Sequence, residues 1–315
     1  MITRGIRAAV AAFFLVLVPW GLMAQAPLNA KKSMALPRLV GQVSSKTTDD
    51  ELKMLKQMAI DDVELSFAND EMSYEAAAPI VARLRNFPNG GFTITLGSNG
   101  GLQKNASIIL GKSDRDAQIE TFKSFIVVLG RLGIPVTVIA WQPNGIVRTK
   151  GLVNQHTRGG GSAIADMAEI AKMPVANDGV VYSRDQMWAS FKYFIDAVLP
   201  TCERAKVALA LHPNDPPVPS LLGAASLIYS SDDYRRAFAL AKNSPYLGMK
   251  MCVGCWLEGG VAFGDILKDI DEFAKAGKIL NVHFRNVSNP LNPDYTGYFE
   301  ETLCQDGYAD MYAIM

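Results

Sequence analysis

The stretch that decides the fold is KVALALHPNDPP, residues 206–217. Its first six residues form a short apolar run of strand type, and Pro213, Pro216 and Pro217 forbid that strand from continuing. His212 therefore stands where a buried strand meets a stiff polar loop. It is one of only three histidines in a chain of 315 residues.

Working outward, the same unit recurs on both sides. LVGQVS (39–44), VELSF (63–67), FTITLG (92–97) and PVTVIAW (135–141) precede it, and GMKMCVG (248–254) and KILNVHF (278–284) follow. Segments with helical spacing separate them, at 49–59, 74–87, 113–133, 183–205, 232–243 and 263–277. The helix at 113–133 is expected to open with Ser113 as its cap and to close at Gly133. Strands alternating with helices imply parallel pairing and right-handed crossovers. No G-x-G-x-x-G follows any of the strands, so the expected fold is α/β, a (β/α)8 TIM barrel. An open doubly wound sheet stays as the alternative. Seven strands are countable where a barrel has eight. The sequence therefore reads as a barrel truncated before its eighth strand, with DGYADMYAIM (306–315) as the opening of the seventh helix.

Composition narrows the function classes. Hydrophobic residues make up 49% and charged residues 20%, enough for a large core and against wholesale disorder. Lys+Arg and Asp+Glu balance at 31 each, which leaves no basic surplus for nucleic acid. A small-molecule enzyme or a neutral binding module fits this balance. Residues 1–26 differ from the rest: Arg4 and Arg7 precede an apolar run that ends at Ala24-Gln25-Ala26, the layout of a secretory signal peptide. The expected organisation is a signal peptide at 1–26, a linker at 27–36 and a barrel at 37–315. The product is expected to be exported, periplasmic or secreted, with no membrane association after cleavage. An uncleaved anchor is the alternative. Whether the chain forms a homo-oligomer is left open.

The segment 142–182 shows no periodic pattern and contains NQHTRGGGS, with His156 and Arg158. It follows the fourth strand, and on a barrel the loops after strands form the active face. The four cysteines are too few and too uneven for a disulfide scaffold. Cys252 and Cys255 form a C-x-x-C that could be a redox pair, a disulfide or part of a metal site. No second such motif follows, which argues against a zinc knuckle.

Three residues share one structural position. His212 ends the fifth strand, Cys252 lies near the end of the sixth and His283 near the end of the seventh. Adjacent barrel strands bring these ends together, and imidazole and thiolate both ligate divalent transition metals. Each residue alone also has a plain structural explanation. Asn214 and Asp215 either orient the His212 ring, bind substrate hydroxyls or simply form the turn.

On LHPNDPP (211–217), MCVGC (251–255), VHFRNV (282–287) and DGYADMYAI (306–314), with weaker echoes in VRT (147–149) and TRGGG (157–161), the chain resembles the mannonate dehydratases, relatives of the xylose isomerase-like barrels. That resemblance implies a manganese or ferrous ion held by His212, Cys252 and His283; the chemistry of the set alone would prefer zinc. It also implies a fourth ligand, an Asp in a Pro-Asp-His segment on the eighth strand, and a later tyrosine, neither of which is present. Asp310 belongs to the preceding helix and is not that Asp. The implied reaction dehydrates a sugar acid, D-mannonate, to 2-dehydro-3-deoxy-D-gluconate. The proton α to the carboxylate is removed and the β-hydroxyl leaves as water, which requires a cation for the enediolate and a general acid for the hydroxyl. No residue is assigned to that acid. Guanidinium groups suit the substrate carboxylate, so Arg148, Arg158 and Arg285 are its candidates, with surface ion pairing as the competing role. A sugar isomerase or epimerase on the same barrel, or a non-catalytic exported homologue, are the alternatives.

Overall fold

The computed structural model describes residues 37–153 and 158–315. The expected signal peptide, the expected linker and His156 lie outside them. No helix among the described residues is long and apolar enough to cross a membrane.

Seven parallel strands alternate with helices, as the spacing predicts. They are β1 (Val40–Ser44), β2 (Asp62–Phe67), β3 (Thr93–Asn99), β4 (Val136–Ala140), β5 (Ala208–His212), β6 (Leu247–Cys252) and β7 (Ile279–His283). Hydrogen-bonded ladders join β1, β2 and β3 in one sheet and β4, β5, β6 and β7 in another, every neighbour parallel. β3 packs beside β4 and completes the sequential order. Inside this wall, Lys250 on β6 makes a buried 2.8 Å ion pair with Glu64 on β2. Those strands are not neighbours, so the pair bridges the interior. Lys250 and Cys252 are two residues apart and share a face of β6, which places Cys252 directly above the pair.

The helices start where short polar side chains can satisfy their first N–H groups. α1 (Asp49–Gln57) opens with a Thr48 capping box, and α2 (Tyr74–Arg85) with Ser73. α4 (Arg184–Ala205) opens with a Ser183 capping box, and α5 (Ser231–Leu240) with Ser230. α3 (Arg115–Arg131) departs from expectation. Its cap is Asp114, with no side-chain hydrogen bond, and Ser113 stands outside the helix. A turn supplies what the serine was expected to: Arg115 N–H donates to the Lys112 carbonyl at 3.0 Å.

Two further differences matter for the site. The strand expected over 248–254 stops at Cys252, and α6 (Val253–Gly259) begins at once, every residue of it buried. α7 (Ile266–Lys275) then starts at an Asp265 cap. The segment 142–182 is also more ordered than its sequence suggests. Its strands Lys150–Leu152 and Ser162–Asp166 join Tyr298–Thr302 and Asn286–Val287 in an antiparallel strip. These strands are two to five residues long, and the pairing of Ser162–Asp166 with Tyr298–Thr302 is with a distant part of the chain, so they carry little local signal. Met311–Ile314 is helical, with Asp310 as its cap accepting from Tyr312 N and Ala313 N.

Candidate metal centre and its ionic cluster

The ends of β5, β6 and β7 bring the three candidate ligands to one point. Cys252 and His283 are register partners across adjacent strands, and the His212 and His283 rings lie 5.3 Å apart at 63°. One ligand atom from each of His212, Cys252 and His283 falls within 4.8 Å of the others. His212 Nδ1 lies 2.7 Å from the Pro213 carbonyl. A carbonyl can only accept, so Nδ1 carries the proton and Nε2 keeps its lone pair for a ligand. Nε2 of His283 is buried and has no hydrogen-bond partner. A buried, unpartnered imidazole nitrogen is costly unless something fills its place, and a cation shared with Cys252 would do so.

The thiol chemistry supports the same reading. All four cysteines are free. A hydrogen bond from Cys255 holds the Cys252 thiol well below its usual range. Burial opposes this, and the charge of Arg285 and contacts from both histidines reinforce it. Burial, with Cys252 beside it, pushes Cys255 well up. Cys252 is thus the thiolate and Cys255 the thiol that donates to it. The C-x-x-C is thus no disulfide here but a thiolate and its hydrogen-bond donor.

Cys255 and Glu258 follow Cys252 at intervals of three, which α6 turns onto one face. They meet Asp215 there, with ligand-type atoms within 4.8 Å of one another. Arg148 Nη1 lies 2.7 Å from Asp215, and its Nη2 2.6 Å from Glu301 and 3.6 Å from Glu258. Arg285 Nη2 contacts Asp215 at 3.2 Å and pairs with Glu258. The loops after β4, β5, β6 and β7 are therefore tied by three carboxylates and two guanidiniums. Burial raises the Asp215 carboxyl, but Arg285 and Arg148 together outweigh it and leave it below the usual range. At Glu258, which is fully buried, burial wins and holds the carboxyl well above that range. Its Oε2 has no hydrogen-bond partner.

The structure places the other candidates differently. Arg148 and Arg285 stand at the site, engaged with carboxylates of the chain itself. Arg158 is exposed, in a Gly-rich turn with a positive φ of 50°, and nothing among the described residues joins it to the cluster. Asn214 is spent on the backbone: Oδ1 accepts from Leu227 N (3.1 Å) and Ile228 N (2.9 Å), and Nδ2 donates to Trp141 O (3.2 Å). Asp215 N donates to Gln142 Oε1 at 3.0 Å, and the Asp215–Pro216 peptide is cis. Glu258 and Glu301 had no place in the sequence reading. The C-x-x-C-x-x-E spacing in CVGCWLE is the signal that marks Glu258; Glu301 has none.

Comparison with known proteins agrees with this geometry. The family model described as D-mannonate dehydratase (UxuA) matches residues 167–315. The mannonate dehydratase of Streptococcus suis (strain 05ZYH33) is 31% identical over 233 residues, 65% of this chain and 60% of that protein. That of Streptococcus equi subsp. zooepidemicus (strain MGCS10565) is 31% identical over 233 residues, 65% and 61%. The chain thus spans about 60% of the length of the curated relatives it matches. The crystal structure of mannonate dehydratase from Streptococcus suis serotype 2 superposes with a TM-score of 0.73 at 26% identity, over 88% of this chain and 80% of that one. A xylose isomerase domain protein from Planctomyces limnophilus shares the fold alone, at 11% identity and a TM-score of 0.56, over 88% and 82%. The resemblance read from LHPNDPP, MCVGC and VHFRNV is borne out in sequence and in fold: the chain is similar to the mannonate dehydratases and shares their α/β barrel fold.

Proposed function

We propose that the chain is a metal-dependent sugar-acid dehydratase that removes water from D-mannonate to give 2-dehydro-3-deoxy-D-gluconate. The observation that carries this is the convergence of His212, Cys252 and the unpartnered His283 Nε2 at the mouth of the barrel. The likeness to mannonate dehydratases supplies the reaction class. Manganese or ferrous iron is the metal this likeness favours, with zinc as the alternative that the soft thiolate favours.

A cation held by these three side chains would stabilise the negative charge that develops when the α-proton leaves. The protein's own groups do the rest. Pro213 O fixes the His212 tautomer, and the Cys255 thiol supports the Cys252 thiolate. Glu258 holds a proton in its buried carboxyl, with Oε2 free of partners. Asp215 stays ionised and fixes Arg148 and Arg285.

The test is incubation of the metal-loaded chain with D-mannonate and NMR assay for the 2-keto-3-deoxy acid. Absence of product from protein holding stoichiometric metal overturns the reading and leaves a non-catalytic homologue. We also propose export, on the strength of residues 1–26; a mature N-terminus at Pro27 is the expected result of sequencing.

A further inference from the structure

The loop after β3 carries a cation that the cluster above does not use. Asn99, the last residue of β3, caps the short helical turn Gly100–Gln103, and Lys104 ends that turn. Loops after strands lie at the same end of a barrel as His212, Cys252 and His283. Lys104 is half-buried, and its ammonium has no hydrogen bond or ion pair among the described residues. Burial works against its charged form and holds its pKa below the ordinary lysine value. Asp215 is the charge that works the other way, so Lys104 lies within the field of the cluster.

The two arginines at the site cannot take the same part. Arg148 and Arg285 each contact carboxylates of the chain, and an anion approaching them meets Asp215, Glu258 and Glu301 as well. With Glu258 holding its proton, the Asp215 and Glu301 carboxylates still offset the two guanidiniums and leave no net positive pocket. Lys104, by contrast, lacks the counter-ion that a half-buried ammonium calls for.

We propose that Lys104 is the carboxylate anchor of the substrate site, its ammonium pairing with the carboxylate of the sugar acid; this rests on the sugar-acid reading above. Arg148 and Arg285 then serve to position Asp215, Glu258 and Glu301. A lysine suits the anchor because its flexible stem follows a point charge without demanding a bidentate geometry.

The experiment uses the metal-loaded chain and does not depend on turnover. Lysines are acetylated with acetic anhydride, and labelling is read by mass spectrometry with no ligand, with D-mannonate and with the neutral mannitol. Exposed Lys46 is the internal control. Protection of Lys104 by D-mannonate and not by mannitol is the expected result, and it supports the anchor whether or not product forms. No protection by D-mannonate, or equal protection by mannitol, overturns it even if the wild type is active. Product formation, assayed in parallel, judges the dehydratase reading separately. Where the wild type is active, Lys104→Met is expected to raise KM about ten- to a hundredfold with a smaller effect on kcat, and Lys104→Arg to restore part of the loss. An unchanged KM in Lys104→Met overturns the proposal.

Discussion

Arg285 lies directly over the backbone of Gly254: a Cβ placed on that glycine would come within 2.4 Å of Cζ and 2.5 Å of Nη1. The residue two places after the candidate ligand His283 therefore reaches the cluster only because the second residue of α6 has no side chain. Gly254→Ala is expected to push the guanidinium off Glu258 and Asp215, at a cost of about 1–3 kcal/mol. Urea denaturation measures this; an unchanged midpoint would mean that the α6 backbone yields instead.

The proposed metal ligands are testable without any assay of activity. His212→Ala and Cys252→Ser each delete one donor of three, and bound metal measured after dialysis is expected to fall by more than ~100-fold in affinity. Circular dichroism should show the barrel intact, because the strands are held by ladders of backbone hydrogen bonds. A His212→Ala protein that retains stoichiometric metal would refute the ligand set.

Asn214 separates a structural role from a substrate-binding one. Its side chain satisfies the buried N–H groups of Leu227 and Ile228 and the carbonyl of Trp141. Asn214→Ala leaves these unpaired and is expected to destabilise the fold by ~2–4 kcal/mol. Retained sugar-acid binding in the folded fraction is expected. A variant of full stability with a raised KM would return Asn214 to the substrate site.

Glu258 gives stability a defined pH dependence. Burial raises its folded pKa well above the ordinary glutamate value of about 4.5, so the folded state keeps a proton that the unfolded chain releases. Its contribution is fully present below about pH 4.5 and is lost as pH rises toward the folded value. Glu258→Gln keeps the shape and cannot ionise, so its Tm should fall less than that of the wild type between pH 5 and 9. Parallel Tm profiles would show that Glu258 is ionised in the fold.

The barrel and the convergence of His212, Cys252 and His283 were legible because both follow from short-range rules. Short apolar runs separated by helical spacing marked every parallel strand, and His212, Cys252 and His283 each stand at the end of one. The partners of the two arginines were not legible. α6 is only seven residues long and buried on all sides, so CVGCWLE shows no amphipathic contrast and reads as an extension of β6. Glu301 depends on the pairing of Tyr298–Thr302 with Ser162–Asp166, a contact across more than a hundred residues that no local pattern encodes. Arg148 and Arg158 looked alike in sequence. Only the ladder at Lys150–Leu152 directs the first inward, while a left-handed turn leaves the second in solvent.

The antiparallel strip has one more consequence. Barrels usually diversify by changing one strand-to-helix loop at a time, because each loop is anchored on its own strand. Here the loop after β4 and the loop after β7 are stitched into a single ribbon, and Arg148 and Glu301, one from each, close on each other at 2.6 Å. An insertion in either loop would shift the charge pairing in the other. These two segments must therefore vary in concert, and new substrate preferences on this scaffold should arise more readily in the unstitched loop after β3.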